Sequence, residues 1–179
     1  GALEMAQLWV NLPAKQKMSA PRYQTILNAG IPTIELADGA GSLRVIAGSF
    51  DGHGGPAATF SPLNVWDLRL QAGRSGRLAL PEGHIAAIAV LRGCIAANGS
   101  GDVGPAELLV LERTGDEVHI DAAVDSALLL LSGEPIAEPI VGYGPFVMNS
   151  RQEIEAAMND FQRGKFGRMP ATAAAPAGA

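Results

Sequence analysis

The chain has 179 residues, 47% hydrophobic and 17% charged, which gives room for one domain with arms and is too apolar for a disordered segment. Thirteen Lys and Arg against 18 Asp and Glu leave a formal net charge of −5, and no basic cluster stands out, which argues against direct nucleic-acid binding. The apolar run Ala127 to Leu131 is far too short to span a bilayer, and Cys94 is the single cysteine, so no internal disulfide exists.

With no secretory signal in the sequence, a soluble, cytoplasmic protein is expected. The first segment with a pattern, Gln7-Leu8-Trp9-Val10-Asn11-Leu12, alternates as a strand does and stops at Pro13. Only six residues precede it, so it reads as the closing strand of a domain this chain lacks.

Further strands are predicted at Leu43 to Ala47, Val65 to Leu70, His84 to Leu91, Ile95 to Ala97, Glu107 to Glu112, Glu117 to Asp121 and Ala127 to Leu131. Turn formers separate them, among 22 glycines and 12 prolines, and many short strands at close spacing predict an all-β sandwich or barrel. One helix is expected after Ser150-Arg151-Gln152-Glu153, which has the form of a capping box. Ile154, Ala157, Met158 and Phe161 would share one face, and Gly164 would end the helix. The tail beyond Pro170 carries no pattern and is expected to be disordered.

Few short motifs point to chemistry. Gly99-Ser100-Gly101-Asp102-Val103-Gly104 has the dinucleotide spacing G-x-G-x-x-G, with Asp121 downstream, but the run from Pro105 to Glu112 is β-like rather than helical, so a hairpin turn is expected. Gly48 to Gly55, with His53, reads as a flexible surface connection rather than an anion cradle. His84 and His119 each lack a second histidine nearby, and a metal needs converging ligands. Asp121 and Asp125 read as solvated strand-end residues rather than an acid/base pair. Cys94 reads as a buried strand thiol, and no G-x-S-x-G elbow is present.

The stretches QLWVNLPAKQKMSAPRYQ and SGEPIAEPIVGYGPFVMNSRQEIEAAMNDFQRGKFG closely resemble the pirin family, and Gly144-Pro145-Phe146-Val147-Met148-Asn149 before the capped helix carries most of the likeness. The resemblance implies half of a bicupin, in which two jelly-roll β-sandwiches pack together. Residues 1–28 would be the terminal strand and connection from an absent N-terminal cupin, 29–148 the C-terminal cupin, 149–167 the capped helix and 168–179 the tail. It further implies that iron or another divalent metal is held by three histidines and a glutamate of the N-terminal cupin, none of them in this chain. Fitting the general cupin pattern with its glycines on Gly73 and Gly93 puts Ala79, Pro81 and Ala86 at the three ligand positions, none able to bind metal. No cofactor is therefore expected here.

The function expected is that of a metal-free structural and binding module for the metal-dependent cupin. The alternative, implied for the full-length protein, is a quercetin 2,3-dioxygenase-type enzyme or a redox-linked transcriptional co-regulator. A small ligand enclosed near Leu78, Leu80, Ile85 and Ile88 is weighed against simple core filling, which is the preferred reading. Leu8, Trp9, Val10, Leu12, Phe146 and Met148 are the expected interface, toward the N-terminal cupin, another copy of the chain or another protein, and the chain alone is expected to self-associate.

Overall fold

The computed structural model describes residues 5–167, in two compact units: 5–18 with 137–167, and Ser19–Ile136. The expected disordered tail and residues 1–4 lie outside the described residues.

The larger unit holds β1 (Thr33–Glu35), β2 (Gly41–Ala47), β3 (Ser49–Phe50), β4 (His53–Gly54), β5 (Leu63–Leu70), β6 (Arg74–Ala79), β7 (Ile85–Arg92), β8 (Ile95–Ala97), β9 (Leu108–Val110), β10 (Glu117–Ala122) and β11 (Ser126–Gly133). One sheet runs β1-β2-β5-β11-β7-β9 and a second runs β6-β10-β8, with every pairing antiparallel. This is the all-β jelly-roll sandwich expected.

The inward rows of both sheets supply the core. Leu43, Val45, Trp66, Leu68, Ile88, Val90, Leu128 and Leu130 come from the large sheet, and Leu78, Ile95, Val118 and Ile120 from the small one. Each is at most 1% exposed, and burying a side chain of this size contributes about 1.5–3 kcal/mol. On β5 the alternation in the sequence is the alternation in space: Asn64, Trp66, Leu68 and Leu70 share the inner row with this core.

The connections explain several departures from the predicted elements. Gly48 to Gly55, expected as a flexible connection, is a tight hairpin pairing Ser49 with Gly54 and Phe50 with His53. Its two central residues, Asp51 and Gly52, have φ of 46° and 75°, the positive pair that a type I′ turn requires. Strand β6 escaped prediction because only Gly76 and Leu78 face inward among two arginines and a serine. Strand β9 is shorter than expected because Glu107 turns its carboxylate onto the backbone N–H of Gly104, 2.5 Å away. Cys94 sits half-buried in the connection between β7 and β8 rather than in a strand, its N–H donating to Ser126 Oγ.

In the smaller unit, β12 (Val141–Tyr143) and β13 (Phe146–Met148) form a hairpin on which α1 (Arg151–Gln162) rests. Ser150 caps the helix by accepting from the Glu153 N–H at 3.2 Å. The Glu153 carboxylate reaches back one residue further than a capping box demands, to the Asn149 N–H at 3.0 Å. Phe146, Phe161 and Phe166 form a triad, with Phe146 6.2 Å from Phe161 and both 6.3 Å from Phe166 between ring centroids. The expected strand at Gln7–Leu12 does not form: residues 5–13 join no sheet, because alternation alone supplies no partner for the backbone. Among the described residues no helix is long and apolar enough to cross a membrane.

Candidate functional site

The barrel interior is where a jelly roll of this type would carry chemistry. Inward-facing positions on β6 are Gly76 and Leu78, and on β7 they are Ala86, Ile88 and Val90. Of the three positions taken as ligand equivalents, Ala86 is buried and lines a cavity, while Ala79 and Pro81 are exposed. These side chains do not fit a metal, because none offers a nitrogen, sulfur or carboxylate donor. Among the described residues no group of three His, Cys, Asp or Glu side chains gathers anywhere.

Two cavities share the wall made by Leu80, Pro81 and Glu117. The first, about 330 Å³, is lined by His84, Ala86, Ala97, Ser100 and Leu109 among others. The Nδ1 of His84 is closed off from solvent without a hydrogen-bond partner among the described residues. The second, about 850 Å³, lies against Phe50 and Trp66. Their rings meet edge to face at 5.0 Å, and Trp66 Nε1 is likewise buried without an acceptor. Of the residues considered for a ligand pocket, Leu80 lines both cavities, Leu78 and Ile88 are fully buried in the core, and Ile85 is 52% exposed.

The remaining polar candidates have local partners. His119 Nε2 lies 3.1 Å from Asp121 Oδ1, and Ser75 Oγ donates to the same oxygen at 2.5 Å. The Ser75 hydrogen bond holds the Asp121 carboxyl below its ordinary value, with desolvation opposing it and the charge and hydrogen bond of His119 assisting. Asp125 instead accepts from the Ala72 N–H at 2.8 Å, so the two aspartates serve different turns and strands. His53 Nδ1 contacts the Asp51 carbonyl within its hairpin. Gly99 to Gly104 opens no helix; Val103 turns back to bridge Ile95, as a hairpin turn would.

Sequence reasoning missed a charged cluster on the outer face of the large sheet. Asp67, almost buried, stands 3.1 Å from both Arg44 Nη1 and Arg69 Nη2, and Arg44 also reaches Asn28 Oδ1 at 2.5 Å. The signal was present as Asp and Arg two apart on β5, with Arg44 opposite Asp67 across the ladder.

In the smaller unit, Trp9, Val10 and Leu12 of the expected interface line a groove of about 290 Å³ with Asn11, Lys17, Pro145 and Val147. Trp9 is 73% exposed, Leu8 and Val10 are exposed, and Phe146 and Met148 are half-buried in the hairpin. The loop after this segment is pinned by the Ala14 N–H, which donates to Glu138 Oε2 at 2.7 Å.

This architecture matches known proteins closely. Residues 65–167 match the family model described as the pirin C-terminal cupin domain, and the chain belongs to that family. A Pseudomonas aeruginosa protein named "Putative quercetin 2,3-dioxygenase" is 54% identical over 166 residues, 93% of this chain and 58% of its own length. A pirin-like protein of Caulobacter vibrioides is 38% identical, with 93% of this chain and 60% of the relative covered. The crystal structure of a quercetin 2,3-dioxygenase from Acinetobacter baumannii superposes with a TM-score of 0.85 at 46% identity, over 89% of this chain and 55% of that one. The chain thus spans 55–60% of the length of these relatives.

Proposed function

We propose that this chain is a metal-free cupin acting as a structural and binding module for a second, metal-dependent cupin. The observation that carries this reading is the inner row itself: Gly76 and Leu78 on β6 and Ala86 and Ile88 on β7 turn inward, and none of them offers a metal donor. Such side chains fill space and stabilise the sandwich, and they neither hold a cation nor activate oxygen. The activity of the whole protein is then that of the longer relatives, an oxidation of the quercetin 2,3-dioxygenase type, with the reactive centre in sequence this chain does not contain. A single cysteine suits work in the reducing cytoplasm.

The binding face in this reading is the apolar groove around Trp9, Val10 and Leu12, directed at the metal-dependent cupin or, in its absence, at another copy of the chain. Oxygen uptake with quercetin, measured on a full-length relative and on the 179-residue chain, tests the proposal. Uptake is expected from the longer protein alone, and uptake by this chain would overturn the reading. Light scattering at high concentration should show self-association of the chain, reduced in Trp9→Ser; a clean monomer at every concentration contradicts the proposed face.

A further inference from the structure

We infer that β9 is a self-complementary edge through which two copies of this chain pair antiparallel, Leu108 of one opposite Val110 of the other. β9 ends the large sheet and is bonded on one side alone, to β7. On that side the Val90 N–H donates to the Glu107 carbonyl at 3.0 Å, and the Leu111 N–H donates to the Ala86 carbonyl at 2.9 Å. The alternation of an antiparallel ladder therefore turns the N–H and C=O of Leu108 and Val110 to the open edge. No hydrogen bond reaches them there among the described residues.

The other outer strands are guarded. β1 carries Glu35, β6 carries Arg74 and Arg77, and β8 is bridged on its far side by Val103. β9 has no charge, proline or bridge among the described residues, and its outward side chains, Leu108 and Val110, are 59% and 64% exposed. They continue an apolar surface along the rows Leu108-Ala89-Leu129 and Val110-Ala87-Leu131. Unpaired backbone beside exposed apolar side chains is the form of edge that accepts another strand.

The occupant is a second copy because the edge fits itself. A twofold axis at Leu109 sets the free N–H and C=O of Leu108 against those of Val110 in the second copy, so every free group of the edge is used without a register shift. The same axis places Glu107 opposite Leu111 and Glu112 opposite Ala106, so no like charges oppose each other across the seam. A strand of 3 residues makes this a weak dimer that forms as concentration rises. The edge belongs to the larger unit, is separate from the groove of Trp9, Val10 and Leu12, and does not depend on the proposed role of the chain as a module.

The test is amide hydrogen exchange and sedimentation of the 179-residue chain over a concentration series, with Trp9→Ser used to silence the groove. Protection of the Leu108 and Val110 amides should rise roughly tenfold from dilute to concentrated protein, in Trp9→Ser as in the unsubstituted chain. Two double variants read the register. Leu108→Lys with Val110→Lys sets ammonium opposite ammonium across the seam and should weaken dimerisation by roughly tenfold. Leu108→Lys with Val110→Glu sets opposite charges together and should bring dimerisation back to within roughly threefold of the unsubstituted chain. Exchange at Leu108 and Val110 that ignores concentration overturns the inference, as does equal association by the two double variants. Association lost altogether in Trp9→Ser also overturns it while leaving the groove reading intact, and association that survives Trp9→Ser but fails in the double lysine variant supports it. The exchange series on the unsubstituted chain decides the matter even if a double variant fails to fold.

Discussion

Arg44 and Asp67 face each other across β2 and β5 with Nη1 and Oδ2 3.1 Å apart, and the carboxylate is 8% exposed where its partner is 25% exposed. Arg69 closes the other side of the same carboxylate. The low exposure of Asp67 makes this pair more than a surface bridge, because removing the acid leaves two guanidiniums crowded on one sheet face. Asp67→Ala should lower stability by about 2–3 kcal/mol in urea unfolding, and Arg44→Ala by about 1 kcal/mol. Equal small effects would show that the cluster is solvated and dispensable.

Two glycines with similar backbone angles should respond very differently to alanine. Gly93 has φ of 92°, and a Cβ there would lie 2.2 Å from Ser126 Oγ and 2.7 Å from the Asp125 carbonyl. Gly99 has φ of 75° with nothing within 4 Å of the added atom. Gly99→Ala therefore meets backbone strain alone, about 1 kcal/mol, whereas Gly93→Ala must also displace β11 backbone and should cost about 3 kcal/mol or more. Thermal unfolding of the two variants separates these costs.

The helix cap gives a local prediction. Ser150→Ala removes the acceptor for the Glu153 N–H and should cost about 1 kcal/mol. Glu153→Gln should cost less, since an amide oxygen still reaches the Asn149 N–H. Hydrogen exchange in the first turn of α1 should quicken in Ser150→Ala while β5 and β11 are unaffected.

Asp121 supplies a pH prediction with a definite sign. Its folded-state carboxyl sits below the ordinary value, chiefly through Ser75, so its contribution to stability is present above the unfolded value. That contribution is lost as pH falls through the folded value, below the ordinary carboxylate range. An NMR titration of Asp121 should shift upward in Ser75→Ala and also in His119→Ala. No upward shift in Ser75→Ala would remove the leading cause.

What was legible in the sequence came from patterns that have one physical meaning. Val65 to Leu70 alternates because one row enters the core, and Ser150 with Glu153 marks a helix start because both groups satisfy orphan N–H donors. The hairpin at Asp51-Gly52 was hidden because glycine permits a tight turn and a loose loop equally, and composition does not separate them. Strand β6 was hidden because its outward residues are charged and its inward residues include Gly76. Gln7 to Leu12 shows the opposite failure, a strand pattern whose backbone finds no neighbour among the described residues. Burial of the Trp66 and His84 nitrogens was not legible, since it depends on packing between strands far apart in sequence.

If the interior of this cupin offers no seat for a cation, the purified chain should stay free of metal when metal is supplied. Elemental analysis after incubation with iron, zinc, nickel and copper in turn, followed by desalting, puts that to the test. Far less than one equivalent of any metal is expected, with no change on replacing His84 or His119. One equivalent of metal that is lost on replacing either histidine would be incompatible with a metal-free barrel.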